Sequence, residues 1–220
     1  MSIGTYAELR SAIADWLARP DDPTIAAVAP DLIRLCESRI NHGSGEPGDP
    51  LYSPPLRTRA METRTAMASA GAYVALPADF LELRAIEVNG VPLGYMTPQN
   101  FMDSAGMQQA GVPRFYTIIG RELRLGPAPT VEKPLTVELF YYAKVPALSD
   151  ENPTNWLLEA SPSAYLYGAL VGAAPYIGDD QRMALWFSLF AAALKGLQGT
   201  ERRATHGGAP LVMRSGVRTP

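Results

Sequence analysis

Residues 148–198 read LSDENPTNWLLEASPSAYLYGALVGAAPYIGDDQRMALWFSLFAAALKGLQ, and no other stretch limits the fold as much. A turn-rich opening ends at Trp156, and a helical hairpin follows. Ser161 stands at an N-cap position, with Pro162 at the first helical position, where its missing N–H costs nothing. Tyr165, Leu166, Ala169, Leu170 and Ala173 then recur at helical spacing. Pro175 is expected to kink or end this helix near Ala174, and Gly178 supplies the C-terminal turn. Asp179 or Asp180 caps the second helix, and the other acid complements its positive end. That helix carries Met183, Leu185, Trp186, Leu189, Phe190, Ala193, Leu194 and Leu197. It is apolar over more than half its circumference, wider than burial of one face needs. Either the pair sits in a crowded bundle or part of this surface meets another subunit; on the second reading Trp186, Phe187 and Phe190 are the candidate intersubunit anchors. Gly168, Ala169, Gly172 and Ala173 permit close backbone approach; core packing alone also accounts for them.

The N-terminal half reads as helical too. Thr5 with Glu8 three positions on makes a capping box, and Tyr6, Leu9, Ile13, Trp16 and Leu17 form an apolar stripe. Residues 20–23 are a turn. A second helix starts at Thr24 or Asp31 and runs to Asn41. Pro30 is awkward inside it, so the expectation is a short helical turn followed by a capped helix near Asp31. Residues 43–55, GSGEPGDPLYSPP, are too rich in glycine and proline for regular structure. They read as a loop reaching a neighbour, or as a mobile insertion.

Between 56 and 142 the pattern changes to strands. Residues 61–67 alternate in part, 73–76 follow a glycine, and 81–88 alternate cleanly before the hairpin signal Asn89-Gly90. Thr97-Pro98 opens a short helix. Residues 115–119 and 122–125 flank a two-residue Gly120-Arg121 turn, and 135–142 form the last strand. The fold class is thus α+β. It is a mainly helical bundle, with two N-terminal helices and a C-terminal helical hairpin, into which a small antiparallel β-sheet is inserted, followed by an extended C-terminal tail. The expected division is one domain over 1–204, with helices in 5–42 and 161–199 and the β insertion at about 60–145, and a tail over 205–220.

Several segments together resemble the adaptor, or head-completion, proteins of tailed bacteriophages. They are Leu76-Pro77-Ala78-Asp79-Phe80-Leu81-Glu82, residues 139–150 (LFYYAKVPALSD), Asn152-Pro153-Thr154-Asn155-Trp156-Leu157-Leu158, and Tyr165-Leu166-Tyr167-Gly168-Ala169-Leu170. Their order and spacing carry the resemblance, which runs from Thr5-Tyr6 to about Arg203. It implies a ring of copies, commonly dodecameric, beneath the portal protein. The ring joins head to tail at the virion neck and continues the DNA channel, and it is made in the host cytoplasm. The implied partners are the chain itself, the portal, a tail or nozzle protein, and double-stranded DNA in weak, non-specific contact. The resemblance implies no catalytic residue, metal or cofactor.

Composition agrees. The chain of 220 residues is 47% hydrophobic and 19% charged, values of ordered globular proteins. Its length suits one domain or two interleaved subdomains. A net charge of −3 argues against a polycation built for nucleic acid. Cys36, the single cysteine, sits among Leu32, Ile33, Leu35 and Ile40 and reads as a buried structural thiol. The N-terminus has no charged-then-apolar signal pattern, and no apolar run reaches a membrane span of about 20 residues.

Enzyme chemistry finds little to hold. His42 and His206 lie near glycine-rich sequence without cysteine or acid at ligand spacing. No nucleophile elbow or phosphate-binding glycine motif occurs. One enzyme reading remains, a virion-associated peptidoglycan hydrolase using two acids, but no pair stands out. A second alternative is a weak DNA-binding module drawing on Arg57, Arg59 and Arg64, with Arg121 and Arg124 beside a hairpin turn; solvated strand faces explain the same residues.

The C-terminal residues 205–220 read THGGAPLVMRSGVRTP. No acid follows Glu201, while Arg202, Arg203, Arg214 and Arg218 are basic. Gly207-Gly208 breaks a helix, and Leu211, Val212 and Met213 are too few to build a core. These seven residues are the candidate portal-binding set: the apolar three in a groove or added as a strand, and the arginines on portal acids.

Overall fold

A computed structural model of the protein describes residues 3–69, 71–129, 135–178 and 180–205. The chain forms two compact units, one from residues 1–58 with 147–220, the other from 59–146.

The first unit is helical. Helix α1 (Tyr6–Trp16) starts at the capping box read from the sequence, with the Thr5 hydroxyl accepting from Glu8 N–H and the Glu8 carboxylate accepting from Thr5 N–H. It buries Tyr6, Leu9 and Ile13. Trp16 belongs to the same stripe but stays 45% exposed, its ring edge-on to Tyr167 at 5.6 Å.

Helix α2 (Pro23–His42) is continuous, capped by Asp22, whose carboxylate accepts from Thr24 N–H at 2.9 Å. The expected break at Pro30 does not occur. Proline removes the donor that would serve the carbonyl four residues back, which is Ala26. The Arg10 guanidinium on α1 donates to that carbonyl at 3.4 Å, so the freed acceptor is used and the helix runs through.

Helices α4 (Trp156–Ala160), α5 (Pro162–Ile177) and α6 (Asp180–Thr205) follow the strand-rich segment. The short α4 was missed in the sequence; Asn155 caps it, its side-chain oxygen accepting from Leu158 N–H at 2.8 Å. Ser161 ends α4 and precedes α5 without a side-chain cap bond, so it is an N-cap by position only. Helix α5 passes through Pro175 to Ile177 and closes on Gly178 in the left-handed region. Asp179, the remaining cap candidate, lies outside the described residues. Helix α6 runs past 199, to Thr205.

Helix α5 is the centre of this unit and packs against α1, α2, α4 and α6. Its small residues make that possible. A Cβ on Gly168 would lie 2.3 Å from Cys36 Sγ on α2 and 2.9 Å from the Phe190 ring on α6.

The second unit holds two four-stranded sheets where one antiparallel sheet was expected. The strands are β1 (Glu62–Ser69), β2 (Tyr73–Ala75), β3 (Phe80–Val88), β4 (Val91–Pro92), β5 (Gly94–Tyr95), β6 (Phe115–Ile119), β7 (Glu122–Gly126) and β8 (Leu135–Ala143). One sheet has the order β1-β8-β3-β4, the other β2-β7-β6-β5. Pairing is antiparallel except between β5 and β6, which are parallel. The local signals hold: Asn89 and Gly90 both have positive φ between β3 and β4, and Gly120 has φ 62° between β6 and β7. What separates the sheets is non-local. Strand β2 pairs with β7, and β8 fits between β1 and β3.

Val74, Leu123 and Leu125 from one sheet and Ile86, Val137, Leu139 and Tyr141 from the other form one apolar core. The far face of the β6–β7 sheet is covered by helix α3 (Pro98–Asp103), capped by Thr97 as read from Thr97-Pro98. Its Phe101 is fully buried over Gly126, where a Cβ would sit 2.4 Å from the ring.

Candidate assembly surfaces

The three aromatic residues assigned to a subunit interface are part of the chain's own core. Trp186 is 3% exposed, Phe187 7% and Phe190 0%. Trp186, Phe190 and Leu194 recur every four residues, so one face of α6 carries them onto α5. Phe187 joins them with its ring 6.2 Å from that of Phe190. The sequence overstated the surface left over because it could not show how closely the glycine-bearing face of α5 admits these rings. The outward face of α6 carries Ala184, Leu185, Ser188 and Ala192. Leu185, 57% exposed, is its large apolar residue.

The portal-binding candidates divide. Arg202 and Arg203 stand on α6, since the helix continues to Thr205. Leu211, Val212, Met213, Arg214 and Arg218 lie outside the described residues.

Residues 43–55 form a closed loop. Ser44 and Ser53 exchange backbone hydrogen bonds at 2.8 and 2.9 Å, and the Ser44 hydroxyl donates to Leu51 O at 3.0 Å. Gly43 makes the turn into this bridge with φ 78°, and a Cβ there would meet Ser53 O at 2.7 Å. Glycine and proline density thus encodes a tight closure.

The arginines offered for DNA are engaged within the fold. Arg57 donates to the carbonyls of Asn41 and Leu56 at 3.0 and 2.7 Å. Arg64 bonds the Glu138 carboxylate at 2.5 and 3.0 Å and stacks on Phe140. Arg121 reaches Ala78 O at 3.4 Å. Arg124 bonds Gln108 and lies between the rings of Tyr73 and Phe101, at 5.4 and 5.1 Å. Arg59 also has a partner. Each guanidinium that bonds protein carboxylates or carbonyls has fewer donors left for phosphate.

A buried polar cluster in the helical unit was not anticipated. The Glu37 carboxylate, 7% exposed, accepts from Leu148 N–H at 2.7 Å and from the Tyr165 hydroxyl at 3.4 Å. Asn155 Nδ2 donates to the same Tyr165 oxygen at 2.7 Å. Burial raises the Glu37 carboxyl above its ordinary range and raises the Tyr165 hydroxyl and the Cys36 thiol as well. The cluster ties α2 to α5 and to the segment at Leu148. It is a structural clasp: its acid meets a backbone N–H and a phenol. Cys36 is fully buried, its Sγ 3.7 Å from Ala164 O, as a structural thiol should be. His42 is exposed, and His206 lies outside the described residues. Among the described residues no cluster of potential metal ligands occurs, and no helix is long and apolar enough to cross a membrane.

The outer face of the β1-β8-β3-β4 sheet is charged. Register sets it: Tyr141, Leu139 and Val137 point into the core, so Tyr142, Phe140 and Glu138 point out, with Glu62, Arg64 and Ala66 opposite them on β1. On β3, Glu82 lies opposite Tyr142 and Glu87 opposite Glu138. Arg84, beside a register shift, stacks on Tyr142 at 5.2 Å and reaches Glu62 at 3.6 Å. Four carboxylates thus share this face with two guanidiniums. A shallow groove of about 350 Å³ lies between Glu62, Arg64, Arg84 and Phe140.

The model of the SU10 adaptor protein family matches residues 4–214. This chain belongs to that family. The match takes in the sequence of both units. Membership makes the chain a structural adaptor of phage type and so a component of a virion. A comparison with curated proteins finds no match.

Proposed function

We propose that the protein forms a closed ring at the virion neck, beneath the portal, where it joins the head to the tail and continues the DNA channel. The observation that carries this reading is the family match over residues 4–214. A ring of many copies needs a heterologous contact, in which one surface of each chain meets a different surface of the next. The helical unit gives each copy a rigid body, and the outward face of α6 around Leu185 offers one such surface. Arg202 and Arg203 are assigned to the portal, and the residues that follow them to contacts with neighbouring chains of the neck. A tail or nozzle protein binds the far side. DNA passes through the lumen with weak contact, which suits a chain of net charge −3 because strong phosphate binding would hold a moving duplex. The reading makes the protein non-enzymatic, and a zymogram against peptidoglycan should stay blank.

The test is an image of the virion neck at a resolution that traces side chains. The expected result is a ring of copies, about a dozen, between portal and tail. Density for this chain elsewhere in the particle, or as isolated copies, overturns the reading.

A further inference from the structure

The two sheets have four outer edges, β1, β4, β2 and β5. Three are blunted. Strand β2 has three residues, β5 two, and β4 two including Pro92. Short edges and proline are the usual protection against adding a strand. Strand β1 has neither. It is eight residues long, contains no proline, and pairs with β8 in unbroken register from Glu62↔Tyr142 to Ser69↔Leu135. Among the described residues no strand pairs with its outer side. An edge of this length and regularity is a template for another extended segment.

The sequence contains a segment that matches it. Residues 211–218, LVMRSGVR, also number eight and alternate as a strand does. In a strand, Leu211, Met213 and Val217 would share one side, and Arg214 and Arg218 the other. On β1, Thr63, Thr65 and Met67 face inward, Met67 packing on the core, while Glu62, Arg64 and Ala66 face the acidic surface. We infer that residues 211–218 of one copy add as an antiparallel strand to the outer edge of β1 in the next copy. This rests on the ring reading and gives the heterologous contact a concrete form.

Length of overlap and charge together favour this direction and register. With like faces matched, an antiparallel strand sets Arg218 across from Glu62 and Met213 across from Met67. Arg214 falls across from Ala66, whose small side chain leaves the path to Glu138 open. A parallel strand that pairs the outward faces with Val212 across from Glu62 sets Arg214 against Arg64, and like charges directly opposite are destabilising. The surface has two carboxylates more than guanidiniums, and the segment brings two arginines. Portal docking then rests on other surfaces, Arg202 and Arg203 on α6 among them.

The test joins the two strands covalently. Thr65→Cys is placed on one tagged chain and Ser215→Cys on a differently tagged chain. The two positions lie directly opposite in this register, at a Cα spacing suited to a disulfide. Native Cys36 is fully buried, so it does not compete. Mixing under mild oxidation should link the two tags, far above a control that pairs S215C with Asp49→Cys. Arg218→Glu should weaken self-association on the order of tenfold, and adding Glu62→Arg should restore it. Linkage between the two tags no greater than the control overturns the inference. A wild-type protein that assembles without the link leaves the ring reading standing and sinks this contact alone. A wild-type protein that stays monomeric at all concentrations sinks both.

Discussion

Two side chains in the helical unit show what a single residue contributes here. Glu37 is a buried acid without a cation in hydrogen-bond contact; its partners are the Leu148 N–H and the Tyr165 hydroxyl. Its carboxyl is raised by burial, with Arg34 pulling the other way. A carboxyl raised in the folded state holds its proton more tightly there than in the unfolded chain. Stability attributable to it is therefore greatest below the unfolded value and falls as pH rises through the folded one. Glu37→Gln keeps an acceptor for Leu148 N–H and cannot ionise. Relative to wild type, the variant should gain stability as pH rises above the ordinary carboxylate range, read as a diverging pair of melting temperatures; parallel curves would show that the carboxyl is not raised. Gly168 is the second case. It lies where α2, α5 and α6 come closest, and a methyl group there meets Cys36 Sγ at 2.3 Å. Gly168→Ala gains helix propensity but overpacks, so a net loss of about 1–2 kcal/mol is expected in denaturant unfolding. Cys36→Ala removes the obstructing sulfur. The double variant should therefore be more stable than the sum of the two single changes predicts.

At the scale of elements, the sequence was read well wherever the signal was local. The capping box at Thr5 and Glu8, the Thr97-Pro98 start, the Asn89-Gly90 turn and the left-handed Gly178 are each fixed by a few adjacent residues. Misreadings occurred where a distant partner decides the outcome. Pro30 was expected to break α2, but its orphaned Ala26 carbonyl is satisfied from another helix by Arg10. Strand β5 has two residues and no period to detect. The split into two sheets depends on β2 choosing β7, some fifty residues along the chain. For the candidate sites, hydrophobic periodicity located Trp186 and Phe190 on α6, yet composition could not say whether α5 or another subunit covers them. The Pro30 account is testable. Pro30→Ala restores the missing donor, and it should stabilise the protein by about 1–2 kcal/mol after the loss of proline's restriction of the unfolded chain. In that background Arg10→Ala should cost less than it does in wild type, because the Ala26 carbonyl no longer depends on the guanidinium. Equal costs in the two backgrounds would remove Arg10 from the explanation.

For the whole molecule, the sequence suggested one domain with an insertion, and the contacts divide the chain into two units of discontinuous and continuous sequence. The physical question is whether the insertion depends on its host. Strand register bears on this. Glu62, three residues after the unit begins at Arg59, lies directly across from Tyr142, four residues before it ends at Pro146. Paired Cα atoms in an antiparallel ladder are about 5 Å apart, so the segment leaves and returns at nearly the same place. Closing the host chain over that gap costs little entropy. The segment also has its own buried cluster, drawn from one face of each of its two sheets, and at 88 residues from 59 to 146 it is within the size at which single domains fold alone. Residues 59–146 expressed by themselves should therefore unfold in one cooperative transition, with near-wild-type β signal in circular dichroism. The complementary chain, with Thr58 joined to Ala147 through a short glycine-serine link, should keep its helical signal. A segment that shows no cooperative transition would mean that the sheets need the helical unit to fold, and that the chain is one domain in the thermodynamic sense despite its two clusters.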